Sequence, residues 1–266
     1  MIAMTTPGVS LSLANRNALI TGGSRGIGAA TVRLFRQAGA RVAFSYRQAA
    51  SEAEALAAAC GGHCLPIQQE LSGSEDGESL VAKAIAALGD LDILVANHGI
   101  WPPVEASVAT MTAAQWRRTQ AINVDSVFGL VHAAAAHMLT RPVAEGAARG
   151  HIVLVASAAG QRGEAFHADY AASKGALISF TKSLSSELAP HRIFANCVAP
   201  GWTHTDMTDS VFGNPEVAAR VNPTIPVGRA GRTDEIAGPI LFLCTPYAAF
   251  ISGEILNANG GAVLAG

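Results

Sequence analysis

Short apolar runs alternate with longer, Ala-rich stretches of helical character along almost the whole chain, and this alternation restricts the fold more than any other feature. Ala18-Leu19-Ile20-Thr21, Arg41 to Tyr46, Leu65 to Gln69, Leu91 to Ala96, His151 to Val155, Ile193 to Val198 and Glu254 to Asn257 read as strands. Between them, Gly28 to Ala38, Ala49 to Ala59, Glu75 to Leu88, Ala113 to Leu139, Ala168 to Leu188 and Thr233 to Leu243 read as helices. Gly39 and Gly61-Gly62 stop the first two of these. Strands joined by single helical crossovers imply a parallel sheet covered on both faces.

No Pro/Gly/Ser-rich linker, charge block or internal repeat divides the chain. The expected fold is therefore α/β: a single-domain, doubly wound, Rossmann-type parallel sheet of about seven strands with helices on both faces. Residues 1–12 are expected to form a loose N-terminal tail without the basic-then-apolar pattern of a secretory signal. The remaining residues, 13–266, form the expected domain, with Arg141 to Arg149 as a loop and an irregular lid at about 202–226.

A formal net charge of −2 gives no electrostatic footprint for nucleic acid or an anionic membrane. No window is read as approaching the ~18 apolar residues that span a bilayer. Half the residues are apolar and 14% charged, so either an Ala- and Gly-rich core or a face hidden between subunits must absorb the apolar surface. Cys60-x3-Cys64 encloses His63, but Cys197 and Cys244 lie far away in apolar runs, so no metal is expected. Free thiols fit a reducing cytoplasm.

The turn Thr21-Gly22-Gly23-Ser24-Arg25-Gly26-Ile27-Gly28 sits between the first strand and its helix. There, missing Cβ atoms let backbone and helix N-terminus approach a pyrophosphate, whose charge the helix dipole favours. Far downstream, Tyr170 and Lys174 stand one helical turn apart in Tyr170-Ala171-Ala172-Ser173-Lys174, with Ser157 upstream. A phenol of ordinary pKa ~10 needs help to exchange protons near neutrality, and a neighbouring ammonium supplies it. Hydride arriving at a carbonyl carbon leaves charge on oxygen: Ser157 donates a hydrogen bond to it and Tyr170 delivers the proton.

This combination of motifs resembles the short-chain dehydrogenase/reductase family, from about Leu13 almost to the C-terminus. The resemblance implies a catalytic set of Asn123, Ser157, Tyr170 and Lys174. In it, Lys174 also bonds the nicotinamide ribose, and Asn123 holds a water that passes protons from Lys174 to solvent. It implies cofactor contacts from Gly22, Ser24, Arg25, Gly26, Ile27 and Gly28, and from Tyr46 and Arg47 ending the second strand. Glu70 and Leu71 follow the third strand, and Asn97 and Gly99 stand in Ala96-Asn97-His98-Gly99, where the family reads N-N-A-G. Pro200, Gly201, Thr203 and Thr205 complete the set, with Pro200-Gly201 against the nicotinamide. His98 is expected to pack on a helix or loop, with ribose or substrate contact as the alternative.

The second strand ends Phe44-Ser45-Tyr46-Arg47, with no acid before Glu52 to accept from a ribose 2′-hydroxyl. Arg47 and Arg25 instead fit a 2′-phosphate, so NADP(H) is preferred and NAD(H) possible. Ile100, Trp101, Gln161, Phe166, His167, Trp202 and Met207 are candidates, with Ser157, for lining a pocket for a small carbonyl or alcohol substrate. Within the family the chain is similar to 3-oxoacyl-(acyl-carrier-protein) reductases. It has no basic docking face near Lys182 to Glu187, which favours a general ketone, sugar or alcohol reductase. An NAD-dependent alcohol or polyol dehydrogenase and a non-catalytic NADPH-sensing protein are the alternatives. The resemblance implies a homotetramer formed through Ala168 to Leu188 and the preceding long helix.

Overall fold

A computed structural model describes residues 10–142 and 144–264, so nine of the twelve residues of the expected tail lie outside the described residues. Seven strands form one parallel sheet: β1 (Asn17–Ile20), β2 (Arg41–Tyr46), β3 (Cys64–Gln68), β4 (Ile93–Ala96), β5 (Gly150–Val155), β6 (Ile193–Pro200) and β7 (Ile255–Ala258). Their order in the sheet is β3-β2-β1-β4-β5-β6-β7. The chain reverses direction between β1 and β4, the place where doubly wound sheets open a crevice at their C-terminal edge.

α1 (Gly26–Gln37), α2 (Ala50–Ala59) and α3 (Ser74–Leu88) follow the first three strands. β4 leads into α4 (Ala113–Gln120) and α5 (Ser126–Thr140), and β5 into the short α6 (Ala159–Arg162) and the long α7 (Ala168–Leu188). After β6 come α8 (Asp209–Phe212), α9 (Pro215–Val221) and α10 (Thr233–Leu243). The segment read as an irregular lid therefore contains helical turns. Asn214 caps α9 by accepting from the N–H groups of Glu216 and Val217, with Pro215 at the first helical position.

Side chains alternate across the strands, so each face has its own core. Leu19, Leu94, Ile152 and Cys197 pack with Leu80 of α3, Leu130 of α5 and Leu177 of α7. Ile20, Val95, Val153 and Val198 pack on the other face with Val32 and Phe35 of α1 and Ile236 and Ile240 of α10. Each fully buried Leu, Ile, Val or Phe contributes about 1.5–3 kcal/mol. Helices α3 and α5 cross backbone to backbone: a Cβ on Gly129 would lie 1.9 Å from Ser74 O.

The helix expected from Ala113 to Leu139 is interrupted. A π-turn, Ala121–Asp125, joins α4 to α5 and inserts an extra residue into the ladder. The composite run Ala113–Thr140 has an 18-residue window of mean hydropathy 1.2, which corrects the reading that no window approaches membrane-spanning character. Its packing on α3 and α7 accounts for that apolarity.

Candidate active site

The C-terminal ends of β1, β4, β5 and β6 open into a cavity of about 720 Å³. On one side stands the glycine turn. Gly22 and Gly26 have φ of +63° and +55°, the left-handed region that glycine tolerates. A Cβ on Gly28 would come within 2.1 Å of Gly22 O, so turn and helix are in backbone contact. Helix α1 begins after Arg25 with no side-chain cap and no acid in its first turn, leaving its first N–H groups for an anion. Asn97 braces the turn, its Nδ2 donating to Thr21 O at 2.9 Å.

Ser157, Tyr170 and Lys174 wall the other side of the same cavity, with Pro200, Gly201 and Thr203 between the two. Ser157 follows β5, and its Oγ accepts the Ala159 N–H at 3.1 Å, which leaves its own hydrogen to donate elsewhere. Lys174 Nζ donates to Val155 O at 2.9 Å and lies 5.9 Å from the centre of the Tyr170 ring. Burial pushes the lysine down to about 8. Burial likewise pushes the Tyr170 phenol up to about 12; a hydrogen bond with Ser157 opposes the rise and the charge of Glu164 adds to it. In the protein by itself, desolvation outweighs the Ser157 hydrogen bond, so Tyr170 holds its proton at neutral pH.

The π-turn carries Asn123, whose side chain makes three hydrogen bonds. Its Oδ1 accepts the Ile100 N–H at 2.8 Å, and its Nδ2 donates to Ile100 O and to Ser173 Oγ, both at 3.0 Å. The side chain thus ties the π-turn to the loop after β4 and to α7, and one lone pair of Oδ1 remains beyond these three bonds. Asp169, next to Tyr170 and fully buried, anchors the head of α7 to α4 by accepting from Thr119 Oγ1 at 2.7 Å and Gln115 Nε2 at 3.2 Å. His98 packs on the glycine turn and α5, lying 2.8 Å from Thr21 Oγ1 and 2.7 Å from Ser126 Oγ, and also lines the cavity. Burial, and next the Lys174 charge, push it down to about 3, so it is neutral.

Residues 22–263 match the family described as enoyl-(acyl carrier protein) reductase. An acetoacetyl-CoA reductase of Shinella zoogloeoides is 37% identical over 249 residues, 93% of this chain and 98% of the relative. A 3-oxoacyl-(acyl-carrier-protein) reductase of Synechocystis sp. is 34% identical over 251 residues, 93% of this chain and 96% of the relative. The chain belongs to the short-chain dehydrogenase/reductase family. A short-chain dehydrogenase from Burkholderia cenocepacia J2315, solved in complex with NADP, superposes with a TM-score of 0.84 at 34% identity, covering 94% of this chain and 98% of that one.

All the residues expected from the family's cofactor motifs line the cavity: Gly22, Ser24, Arg25, Gly26, Ile27, Tyr46, Arg47, Glu70, Leu71, Asn97, Gly99, Pro200, Gly201, Thr203 and Thr205; the exception is Gly28, which supports the turn from beneath. The two arginines have carboxylate neighbours that the sequence did not disclose. Arg25 Nη1 lies 3.4 Å from Asp206 and Arg47 Nη1 lies 3.7 Å from Glu70, both pairs exposed and so weakly bound.

On the substrate side Trp101, Trp202 and Met207 line the cavity, but three expected residues do not. Phe166 adopts φ +64° and points outward, 53% exposed. His167 is buried behind Trp101, its ring stacked on the indole at 4.5 Å. Gln161 lies on α6, and none of its atoms reaches the cavity wall. In their place stand Arg162 and Glu164. No pattern marked them, because the stretch between Ser157 and Tyr170 has neither helical nor strand periodicity.

Proposed function

We propose that this chain is an NADP(H)-dependent reductase that converts a ketone to a secondary alcohol, with Tyr170 as general acid. One observation carries the reading: Ser157, Tyr170 and Lys174 share a single cavity with an uncapped helix N-terminus and its glycine turn. The residues present fit the cofactor. The turn and α1 would take the pyrophosphate, and Arg25 and Arg47 a 2′-phosphate, in competition with Asp206 and Glu70. Bound there, NADPH supplies the hydride.

Ser157, whose hydroxyl hydrogen bonds Tyr170 in the protein by itself, orients the substrate oxygen. Tyr170, held protonated by its burial, gives up the proton as that oxygen becomes more basic. Lys174 steadies the developing phenolate and accounts for the reverse reaction, in which Tyr170 acts as base. Asn123 acts as a brace for the π-turn. The relatives named as a 3-oxoacyl-(acyl-carrier-protein) reductase and an acetoacetyl-CoA reductase support reduction of a ketone, and the NADP complex supports the cofactor. Asp206, Met207 and Thr208 line the cavity, which supports a lid at the start of the segment 202–226.

Phe128, half exposed and stacked on His132 with Phe180 beside it, supports assembly through α5 and α7 as a homotetramer. Four free cysteines accord with a reducing, cytoplasmic setting. The test is a panel of ketones, β-ketoesters, diketones, quinones, ketoses and acyl thioesters followed at the NADPH absorbance. Turnover of at least one class, faster with NADPH than with NADH, is expected. A faster rate with NADH would favour the NAD-dependent polyol dehydrogenase instead.

A further inference from the structure

Glu164 stands where hydride transfer needs no anion. Its side chain is only 18% exposed and lines the cavity together with Trp101 and Trp202. Trp101 Nε1 donates to Glu164 Oε1 at 3.1 Å. His167 Nδ1 approaches the same oxygen at 3.7 Å, but His167 Nε2 donates to Pro102 O at 3.1 Å. At 3.7 Å, Nδ1 lies beyond hydrogen-bond distance of Glu164 Oε1. Among the described residues, Glu164 Oε2 has no hydrogen-bond donor at all.

A mostly buried carboxylate oxygen with no protein donor is met by water in the open cavity or by a donor on whatever displaces that water. The walls beside it are indole faces: Trp202 meets Trp101 edge-on at 6.3 Å, and Phe212 meets Trp202 at 5.8 Å. Such a surface suits an uncharged carbon skeleton. Arg162 also lines the cavity, but it is exposed, and its charge is screened by solvent more than that of the mostly buried Glu164. Glu164 is near enough to the reacting groups for its charge to raise the Tyr170 phenol.

We propose that Glu164 selects a hydroxylated substrate, a ketone carrying a further neutral hydroxyl that donates to Glu164 Oε2 while its skeleton lies against Trp101 and Trp202. In the oxidative direction the same site takes a diol. Anionic ketones and phosphate-bearing acyl thioesters, the substrates in the names of the two relatives, are disfavoured by the same charge. This deepens the reductase reading and rests on it. A site built to accept from a substrate hydroxyl rejects the analogue that lacks it, because its own polar group is then left unpaired.

The experiment compares kcat/KM for cyclohexanone, its monohydroxy isomers, acetoacetate and acetoacetyl-CoA, with NADPH, in the wild type and in Glu164→Leu and Glu164→Gln. At least one hydroxy isomer should exceed cyclohexanone by about tenfold or more in the wild type. In Glu164→Leu that ratio should fall to near one. In Glu164→Gln, which keeps an acceptor but loses the charge, acetoacetate should gain about tenfold relative to cyclohexanone. Ratios within one preparation are insensitive to a loss of folded protein. A hydroxyl preference that Glu164→Leu leaves intact, or a wild type that favours acetoacetyl-CoA, overturns the assignment while the reductase reading stands. Absence of turnover of every ketone, and of the corresponding cyclohexanediols with NADP⁺, overturns both.

Discussion

Replacing Lys174 by Met should make the protein more stable as it makes it less active. The ammonium is 3% exposed, and burial brings its pKa from an ordinary 10.5 to about 8. At roughly 1.4 kcal/mol per pH unit, holding that charge in the fold costs about 3 kcal/mol at neutral pH. Methionine fills a similar volume without the charge, but it gives up the bond to Val155 O at 2.9 Å, a loss of about 1 kcal/mol. The net expectation is a gain of about 2 kcal/mol near pH 7. The sign follows from linkage. The folded state binds the lysine proton less tightly than the unfolded chain does, so the penalty is complete below about 8 and shrinks as pH rises toward 10.5. Above that the wild type matches or exceeds the variant. Urea unfolding of both proteins across this range measures the difference directly. A variant less stable at neutral pH, or a difference that stays flat with pH, would refute the reasoning that Lys174 is a desolvated cation retained for chemistry.

Two further outcomes are expected from the geometry. Arg47→Asp combined with Arg25→Ala should lower the NADPH-to-NADH ratio of kcat/KM by about tenfold or more, since each charge-assisted contact to a phosphate is worth about 1.5–3 kcal/mol. An unchanged ratio would place the 2′-phosphate elsewhere, or show that Asp206 and Glu70 already neutralise both arginines. Gly129→Ala would drive a Cβ into Ser74 O, 1.9 Å away, and should destabilise the fold by about 1–3 kcal/mol, read as a lower urea midpoint. A midpoint like that of the wild type would mean that α3 and α5 separate without strain.

The sheet and its covering helices were legible because local signals agreed with the global fold. Ala168–Leu188 and Thr233–Leu243 begin and end in the structure where the sequence placed them. The π-turn was not legible: Ala121-Ile122-Asn123-Val124-Asp125 has ordinary helical composition, and only tertiary pairing of Asn123 with Ile100 and Ser173 reveals its displacement. The helical turns of the lid were partly signalled, since Asn214-Pro215 is a capping pair that could have been read as a helix start. Motif spacing led to one cavity because Ser157, Tyr170 and Lys174 are positioned by strand ends and a helix face. Specificity was less accessible. Phe166 faces outward because of a backbone conformation no pattern announces, while Glu164 gains its role from the indole beside it. The rise of the Tyr170 phenol in the protein by itself was also out of reach, because it depends on how completely the phenol is desolvated.

The central claim is that the Tyr170 hydroxyl supplies the proton when a carbonyl is reduced beside the glycine-turn site. Tyr170→Phe removes that oxygen and keeps the ring. With a ketone that the wild type turns over, the account predicts that NADPH-dependent reduction falls by about 10²–10⁴-fold. NADPH titrated against tryptophan fluorescence should bind the same variant within a few-fold of the wild type. A variant that reduces the ketone within tenfold of the wild-type rate would contradict the account.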